Sequence, residues 1–241
     1  MVELLGAEIL GLDGVTAGYR DTVVLEQVSA SVGANEAWAV LGRNGVGKTT
    51  LLMTIMGLTV LREGRIRFDG GDITNMDTHR RVQAGIGYVS QEREIFPSLT
   101  VDENLRVATQ PGEWTRERAY DLFPRLAERR RNYGNQLSGG EQQMLAVGRA
   151  LVGNPKLLLL DEPFEGLAPV IIDTLIGAFA RLRRESAIAT VLVEQQVELA
   201  LELTQQALVL DKGQIVWRGA SADLAADRDN LAMLVGLQEA R

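Results

Sequence analysis

A glycine-rich segment at residues 42–49, GRNGVGKT, constrains the fold of this chain more than any other feature. It matches the pattern G-x-x-x-x-G-K-[ST] and lies between an apolar run, residues 37–41, and a helix-like run, residues 49–57. Glycines let backbone N–H groups close around phosphate oxygens, and the N-terminus of the following helix favours the same anion. Lys48 can reach the outer phosphates, and the Thr49 hydroxyl can bind Mg²⁺. A glycine-rich turn with a surface lysine would not account for the strand, the spacing and the threonine together. The segment therefore predicts a phosphate-binding loop.

Composition narrows the class of protein. Hydrophobic residues make up 46% of the 241 residues and charged residues 24%, which is typical of a globular protein with a sizeable core. Apolar runs such as residues 157–160 are far too short to span a membrane, and residues 1–3 lack the basic start of a secretory signal. The chain has no cysteine, so disulfides and thiolate metal sites are excluded. We expect a cytosolic location.

The charge argues against a general nucleic-acid binder. The formal net charge is −7, whereas sequence-independent binding to nucleic acid requires many cations on one face. One basic cluster is present at residues 125–131, but a glutamate interrupts it and no aromatic residues interleave. We expect this cluster to be the solvated end of a helix.

The periodicity along the chain predicts an α/β core with a helical insertion. Strand-like runs are expected at residues 8–15, 23–32, 37–41 and 64–69, and again at residues 156–160, 188–193 and 207–210, the later ones separated by helix-like runs. Residues 72–154 read mainly as helix; a T-x-x-E capping box at Thr100 predicts a helix from Val101, and another helix is expected at residues 116–123. Short, continuously apolar strands are typical of a parallel sheet covered on both faces. The prediction is a mostly parallel sheet, a small antiparallel contribution from the N-terminal strands and an inserted helical region.

A second anion site is predicted at residues 137–143, LSGGEQQ. Ser138 and Glu141 form a capping box, which by itself indicates only a well-capped helix. The box does not explain Gly139 and Gly140, because each glycine in a helix costs about 1 kcal/mol relative to alanine. Close approach of an anion to the backbone at this helix start would explain them.

An acidic strand end follows at residues 157–163, LLLLDEP. Open parallel sheets bind ligands beyond the carboxyl ends of their strands, so Asp161 is placed to bind Mg²⁺ and Glu162 to orient and deprotonate an attacking water. An acidic turn after a buried strand is the alternative, but the phosphate-binding loop makes it the weaker interpretation.

Together these three motifs resemble the ATP-binding-cassette (ABC) ATPases in order and spacing, over nearly the whole chain. Further segments resemble the ATPase subunits of importers for branched-chain amino acids and related polar solutes such as urea. These segments are YVSQ at residues 88–91, FPSLT at 96–100, LFPRL at 122–126, EGLAP at 165–169 and VEQ at 193–195.

The resemblance implies a single ABC ATPase domain over residues 1–241, with a P-loop NTPase core, an N-terminal antiparallel β subdomain and a helical insertion at about residues 72–154. It implies ATP and Mg²⁺ as cofactors. The ATP-binding residues would be Tyr19 (stacked on adenine), Gly42, Arg43, Asn44, Gly45, Val46, Gly47, Lys48, Thr49 and Thr50. Catalytic roles would fall to Glu162, Gln91, Lys48 and Gln195, and Mg²⁺ ligands would be Thr49, Gln91 and Asp161. In the family two subunits sandwich two ATP molecules, so Ser138, Gly139, Gly140 and Glu141 would act on the nucleotide bound by the partner.

Two positions depart from the usual family pattern. Gln195 stands where most members have a histidine that contacts the γ-phosphate; glutamine can donate a hydrogen bond but cannot carry a proton. The branched-chain group resembles this chain in having glutamine there, so we expect an active enzyme. Ala168 stands where many members have an aspartate in a loop that couples the two sites, which puts that coupling in doubt. The one histidine, His79, is expected at the surface.

The resemblance implies an ATP-hydrolysing subunit that drives solute uptake from the cytoplasmic face of the membrane. Its partners would be membrane permease subunits, a second ABC ATPase subunit, identical or different, and indirectly an external solute-binding protein, with no nucleic acid. The alternative is a soluble ABC-type ATPase that acts on DNA, the ribosome or a regulatory partner. A small-molecule kinase would share the phosphate-binding loop but would not explain residues 137–142. For the C-terminal segment, residues 221–241, we expect two short helices and assign no role.

Overall fold

The computed structural model describes residues 8–236. Within this range the chain forms ten strands and ten α-helices. The strands are β1 (Glu8–Tyr19), β2 (Thr22–Gly33), β3 (Ala37–Leu41), β4 (Val60–Phe68), β5 (Gly71–Asp72), β6 (Ile86–Val89), β7 (Leu157–Asp161), β8 (Ala189–Val193), β9 (Gln206–Asp211) and β10 (Gln214–Ala220). The α-helices are α1 (Lys48–Met56), α2 (Thr78–Ala84), α3 (Val101–Ala108), α4 (Arg116–Leu122), α5 (Pro124–Glu128), α6 (Gly139–Leu151), α7 (Pro169–Glu185), α8 (Val197–Leu203), α9 (Ser221–Ala226) and α10 (Arg228–Val235).

The strands form two sheets. One is antiparallel, with the order β2-β1-β4-β5, and the other has six strands in the order β10-β9-β3-β8-β7-β6. In the larger sheet all neighbours are parallel except the pair of β9 and β10. The predicted fold class, a mostly parallel α/β core with an N-terminal antiparallel sheet and a helical region, is confirmed.

Strand β3 shows why the larger sheet is covered on both faces. All five of its residues are buried, and it pairs with β8 on one side and β9 on the other. Ala39 and Leu41 face a core shared with the helices, whereas Trp38 and Val40 face a core shared with the antiparallel sheet. Because side chains alternate along a strand, an all-apolar strand such as β3 requires an apolar layer on each face.

The parallel arrangement brings several loops to one edge. Strand β3 leads into the phosphate-binding loop, β6 into Ser90 and Gln91, β7 into Glu162 and β8 into Glu194. Since these strands run in the same direction side by side, the loops that follow them meet at the carboxyl edge of the sheet.

The helical range predicted at residues 72–154 contains one strand that the sequence analysis missed. Strand β6 lies inside it and pairs with β7 in the larger sheet. The short sequence IGYV of β6 carries two residues that are only partly buried, so it lacks the continuous apolar run that marks β3 and β7. Strands β5 and β10 were also missed, and β1 continues to Tyr19 beyond the predicted end at residue 15.

The remaining expectations concern the ends and the surface. The capping box predicted at Thr100 is present and α3 begins at Val101. The two helices expected after residue 221 correspond to α9 and α10, and residues 237–241 lie outside the described residues. His79 is exposed. Among the described residues, the helices are all too short or too polar to cross a bilayer.

Candidate active site

Two glycines of the phosphate-binding loop occupy backbone positions that a side chain could not share. Gly42 has φ +140°, and a Cβ there would lie 2.3 Å from the carbonyl oxygen of Leu210. Gly47 has φ +112°, and a Cβ there would lie 3.0 Å from a methyl carbon of Leu25. The loop therefore requires glycine for both its conformation and its close packing.

Lys48 lies within the loop that it follows. Lys48 is 5% exposed, and its Nζ donates hydrogen bonds to the carbonyl oxygens of Gly42, at 2.8 Å, and Arg43, at 3.0 Å. Burial lowers the pKa of Lys48, while the carboxylates of Glu162, Asp161 and Glu194 oppose that shift. The N-cap of α1, Gly47, makes no side-chain capping bond. An ammonium group and an uncapped helix N-terminus thus converge at one point, which is the arrangement that binds phosphate.

Asp161, at the end of β7, is held by two hydroxyl groups. Thr49 Oγ1 donates to Asp161 Oδ1 at 3.1 Å, and the Tyr88 hydroxyl donates to Asp161 Oδ2 at 3.2 Å. Burial is the main cause that raises the pKa of Asp161, partly opposed by these two hydrogen bonds. The pKa of Tyr88 is raised, first by burial and then by the Asp161 charge, so Tyr88 stays a donor.

The oxygen donors at this point fit Mg²⁺. The Thr49 hydroxyl and the Asp161 carboxylate supply hard oxygen ligands, and Mg²⁺ is held by one or two carboxylates together with water and substrate phosphates. Within residues 8–236 there is no cluster of three or more His, Cys, Asp or Glu side chains that could hold a metal. Protein side chains in this range therefore do not form a complete metal site by themselves. Thr49 and Asp161, which are in hydrogen-bond contact, would supply two ligands, and water and phosphate oxygens would supply the others.

Glu162 follows Asp161 in a left-handed backbone conformation, with φ +47°. Its carboxylate Oε2 accepts a hydrogen bond from Gln195 Nε2 at 2.6 Å. Asn44 Nδ2, from the phosphate-binding loop, approaches Gln195 Oε1 at 3.4 Å. The two amide side chains therefore connect the phosphate-binding loop to the carboxylate that could activate water.

A cleft of about 360 Å³ lies between these groups. Its lining residues come from the loops after β3, β6, β7 and β8, from the start of α1 and from β2, namely Val24, Asn44, Gly45, Gly47, Lys48, Thr49, Thr50, Gln91, Glu162, Glu165 and Gln195. Gln91 Nε2 donates to Glu165 Oε2 at 2.5 Å across this cleft. The volume suits a polyphosphate between Lys48 and Glu162.

Four predicted ATP-binding residues lie outside this lining, namely Tyr19, Gly42, Arg43 and Val46. Tyr19, at the end of β1, is 42% exposed, and its hydroxyl contacts the Met53 sulfur at 3.0 Å. The Arg43 side chain is exposed, whereas Val46 is buried and its carbonyl oxygen accepts from the N–H of Gly213. Val46 therefore fixes the loop against the turn between β9 and β10.

The second predicted anion site is a self-capped helix start. Ser138 Oγ accepts from the N–H of Glu141 at 3.3 Å, and Glu141 Oε2 accepts from the N–H and the hydroxyl of Ser138 at 2.9 and 3.0 Å. None of these residues lines the cleft. Ser138 and Gly139 are exposed, so they form an outward-facing surface.

The glycines of this segment have protein neighbours. A Cβ on Gly139 would lie 3.0 Å from Arg93 Nη1, and a Cβ on Gly140 would lie 2.8 Å from Ile171 Cγ1. Contacts within the chain therefore account for part of the requirement for glycine at both positions, which the sequence analysis explained by close approach of an anion.

The basic cluster at residues 125–131 is not simply a solvated helix end. Arg125 and Arg129 approach Glu141 Oε1 at 3.2 and 3.5 Å, and Arg130 approaches Asp102 at 3.3 Å. Burial on its own would raise the pKa of Glu141, but hydrogen bonds from Ser138 and the charges of Arg129 and Arg125 outweigh it, and the pKa is lowered. Arg125 and Arg129 therefore contact the start of α6, and Arg130 contacts α3.

Sequence reasoning assigned no role to four residues that contact the site. Tyr88, Glu165 and Glu194 appeared only within motifs, and Arg93 was not singled out. Glu194 has a sequence signal, since a carboxylate directly after the apolar strand β8 repeats the position of Glu162 directly after β7. The roles of the other three depend on contacts between distant segments.

Comparison with known proteins agrees with this geometry. The family model described as ABC transporter matches residues 25–165. The chain is 40% identical over 221 residues to a high-affinity branched-chain amino acid transport ATP-binding protein of Pseudomonas aeruginosa, covering 90% of this chain and 94% of that one. It is 33% identical to a lipopolysaccharide export system ATP-binding protein of Haemophilus influenzae, covering 95% and 98% of the two chains. A crystal structure of a nucleotide-free ATP-binding cassette from an ABC transporter superposes with a TM-score of 0.81 at 26% identity, covering 95% and 99%.

Proposed function

This chain belongs to the ABC transporter family and is an ATPase, and from that membership we propose that it powers a membrane importer for branched-chain amino acids or a related small polar solute. The cleft that brings Lys48, Thr49 and Glu162 together, with Asp161 hydrogen-bonded to Thr49 beside it, carries the catalytic part of this proposal. The 40% identity to a branched-chain amino acid transport protein supports the choice of solute class.

In the proposed reaction, ATP binds with its β- and γ-phosphates over the phosphate-binding loop. Lys48, the backbone amides of residues 42–47 and the N-terminus of α1 balance the phosphate charge. Thr49, Gln91 and Asp161 would hold Mg²⁺, which supplies further charge neutralisation when bound. Tyr19 would stack on adenine.

Hydrolysis requires a base beside the γ-phosphate. Glu162 accepts a proton from water as the water oxygen bonds to the γ-phosphorus and the bond from phosphorus to the β,γ-bridging oxygen breaks. Gln195 orients Glu162 through the 2.6 Å hydrogen bond, and Gln91 orients the water. The products are ADP and inorganic phosphate.

We further propose that the complete site needs two subunits. Ser138, Gly139, Gly140 and Glu141 would meet the γ-phosphate bound by the partner, which fits their position outside the cleft of their own chain. Closure on ATP and reopening after hydrolysis would switch a permease between its inward- and outward-facing states. The protein would act at the cytoplasmic face of the membrane with permease subunits, a second ABC ATPase and, indirectly, an external solute-binding protein.

Glu162→Gln tests the chemistry. The variant is expected to bind MgATP, to lose hydrolysis and to accumulate as a closed dimer on size exclusion. Glu198→Gln, an exposed change on α8, is the matched control. Hydrolysis by Glu162→Gln at the wild-type rate would remove Glu162 from its proposed role.

A pH profile tests Gln195. Glutamine has no titrating proton, so kcat is expected to show no inflection near pH ~6.5, the unperturbed histidine value. An inflection there that persists in His79→Ala would contradict the proposal, because His79 is the one histidine in the chain.

Isolation of the tagged chain from detergent-solubilised native membranes tests the transport assignment. Two polytopic permeases and a solute-binding protein for amino acids would support an importer. The relative of the lipopolysaccharide export system supports a second candidate, an exporter, and recovery of an export permease would favour it. Ribosomal or DNA-bound proteins would instead favour a soluble ATPase.

A further inference from the structure

Glu194 is a buried carboxylate that joins two loops of the site. The residue is 2% exposed. Its Oε1 accepts a hydrogen bond from the backbone N–H of Phe164 at 3.0 Å, and its Oε2 accepts from the N–H groups of Gln195, at 3.0 Å, and Gln196, at 3.4 Å. Phe164 belongs to the loop after β7, and Gln195 and Gln196 belong to the loop after β8. One side chain therefore holds the backbone of both loops.

Burying the Glu194 carboxylate costs free energy, so packing alone does not explain why a carboxylate is present here. Burying a carboxylate removes its hydration, and burial raises the pKa of Glu194 although the three backbone hydrogen bonds oppose the shift. An apolar side chain would fill the same space without that cost. What a carboxylate adds is two acceptor oxygens that can serve two backbone segments at once.

The two segments carry Glu162 and Gln195. Glu162 lies two residues before Phe164, and Gln195 directly follows Glu194. The 2.6 Å hydrogen bond between Gln195 Nε2 and Glu162 Oε2 is thus made between side chains whose backbones Glu194 connects.

The loop after β7 is also held by contacts other than those with Glu194. Loss of the Glu194 hydrogen bonds would therefore move only the part of the loop between these contacts. The N–H of Glu162 donates to the carbonyl oxygen of Val193 at 2.9 Å. Phe164 is buried and packs edge-to-face on Phe179, with ring centroids 5.8 Å apart. Glu162 has a left-handed backbone that a less constrained loop would relax.

We propose that Glu194 is a positioning residue for ATP hydrolysis, which sets the distance between the Glu162 carboxylate and the Gln195 amide by tying together the loops that follow β7 and β8. The inference rests on the proposed role of Glu162 as the base. Glu194 does not line the nucleotide cleft, so it acts through Gln195 and Glu162 and not by contact with ATP.

The test is Glu194→Gln in the full-length chain, assayed for MgATP hydrolysis and for equilibrium binding of MgATP. Glutamine keeps the shape of the side chain but has one acceptor oxygen instead of two. Its NH₂ group would face the backbone N–H groups of one loop, where no hydrogen bond can form, and that loop would no longer be held. The expected result is a fall in kcat of about 10- to 100-fold, because loss of positioning by about 1 Å has effects of this size. The dissociation constant for MgATP should stay within about twofold, as for an interaction used only in the transition state.

Coupling to Gln195 separates positioning from a structural role. If Glu194 acts through Gln195, the double variant Glu194→Gln/Gln195→Ala should be no slower than the slower of the two single variants. If Glu194 has only a structural role, the fold-losses in kcat of the two single variants should multiply in the double variant, and MgATP affinity and Tm should fall in parallel. Multiplying losses would overturn the inference.

Two further variants complete the design. Glu198→Gln, the same change four residues along on an exposed face, should leave kcat unchanged. If Glu194→Gln does not fold, Glu194→Asp is used, since the shorter carboxylate keeps the charge but cannot reach both loops; it should lower kcat with unchanged MgATP affinity, and wild-type kcat would overturn the inference. Failure of the proposed function would be visible separately, as wild-type hydrolysis by Glu162→Gln.

Discussion

The phosphate-binding loop and the start of α6 are both glycine-rich turns that open a helix, but they are built on opposite principles. At the first turn Gly42 and Gly47 have positive φ angles, and the N-cap of α1 makes no side-chain capping bond. At the second turn Ser138 and Glu141 satisfy each other in a capping box. The first turn leaves its amides for a ligand, whereas the second satisfies its own.

The positively charged side chains at the two turns differ in the same way. Lys48 is buried inside the first turn and is held by two backbone carbonyl oxygens, which a phosphate could replace as partner. At the second turn the cations are Arg125 and Arg129, and they approach Glu141. One turn has the groups of an anion site within a single chain, and the other is a self-capped surface that, as proposed, would become a site only when a partner subunit supplies the nucleotide.

The largest expected effect is at the first turn. Lys48→Ala removes the ammonium group without replacement and should lower kcat for MgATP hydrolysis by about 10²–10³-fold, the usual loss for one charge-stabilising group. The fold should persist, because burial already disfavours the charged form and lowers the pKa of Lys48. Steady-state phosphate release and circular dichroism measure the two quantities.

Lys156→Ala, an exposed change before β7, is the control for Lys48→Ala and should leave kcat unchanged. If Lys48→Ala kept more than a tenth of the wild-type kcat, the contrast between the two turns would lose its electrostatic basis.

The glycines offer a second way to compare the turns. Gly42→Ala places a Cβ 2.3 Å from a backbone oxygen at φ +140° and should cost roughly 1–3 kcal/mol of unfolding free energy. Gly140→Ala places its Cβ 2.8 Å from the side chain of Ile171, so Ile171→Ala in the same chain should restore part of the stability. Urea titrations measure both.

Substitutions at Gly140 and Ile171 should affect ATP hydrolysis and folding stability differently. If a partner-bound phosphate approaches the backbone of Gly140, the double variant Gly140→Ala/Ile171→Ala should fold but hydrolyse ATP slowly, because the added methyl group, although it points towards residue 171 of its own chain, adds bulk beside that backbone. Recovery of wild-type hydrolysis would mean that Gly140 serves only the contact with Ile171.

The contrast also shows where sequence was sufficient. The phosphate-binding loop, the capping boxes at Thr100 and Ser138 and the acidic end of β7 are local patterns, and each could be read within about ten residues. The hydrogen bonds of Gln91 to Glu165, Arg93 to Gln143 and Phe164 to Glu194 join residues 74, 50 and 30 positions apart. No local pattern predicts such contacts, because they depend on which strands are neighbours in the sheet.

Strand β6 was missed for a related reason. Its sequence is too short and too mixed to indicate a strand, and it becomes one by pairing with β7. Tertiary pairing outweighed weak local preference here. The same strand positions Tyr88 against Asp161, so a missed strand and a missed site residue have one cause.

A smaller effect is expected from Ser138→Ala. Loss of the N-cap hydroxyl should cost about 1 kcal/mol of unfolding free energy. For a chain of this size that corresponds to a fall in Tm of roughly 2–4 °C. Gly47 has no capping side chain to lose, so no equivalent change exists at the first turn. Ser138→Thr keeps the hydroxyl and serves as the control; an equal fall in Tm for both variants would mean that capping is not the cause.

The smallest effect, and the one that best isolates the second turn, is the pH dependence of Glu141→Gln. Folding lowers the pKa of Glu141 below its usual 4.5, so its contribution to stability is complete above that value and is lost as pH falls through the lower pKa of the folded protein. Urea titrations from pH 7 downward should therefore show a stability difference between the wild type and Glu141→Gln that is constant near neutrality and shrinks in acid. A difference that stayed constant to the lowest pH at which the protein folds would mean that the carboxylate acts by shape alone, and the charge contacts with Arg125 and Arg129 would not stabilise this turn.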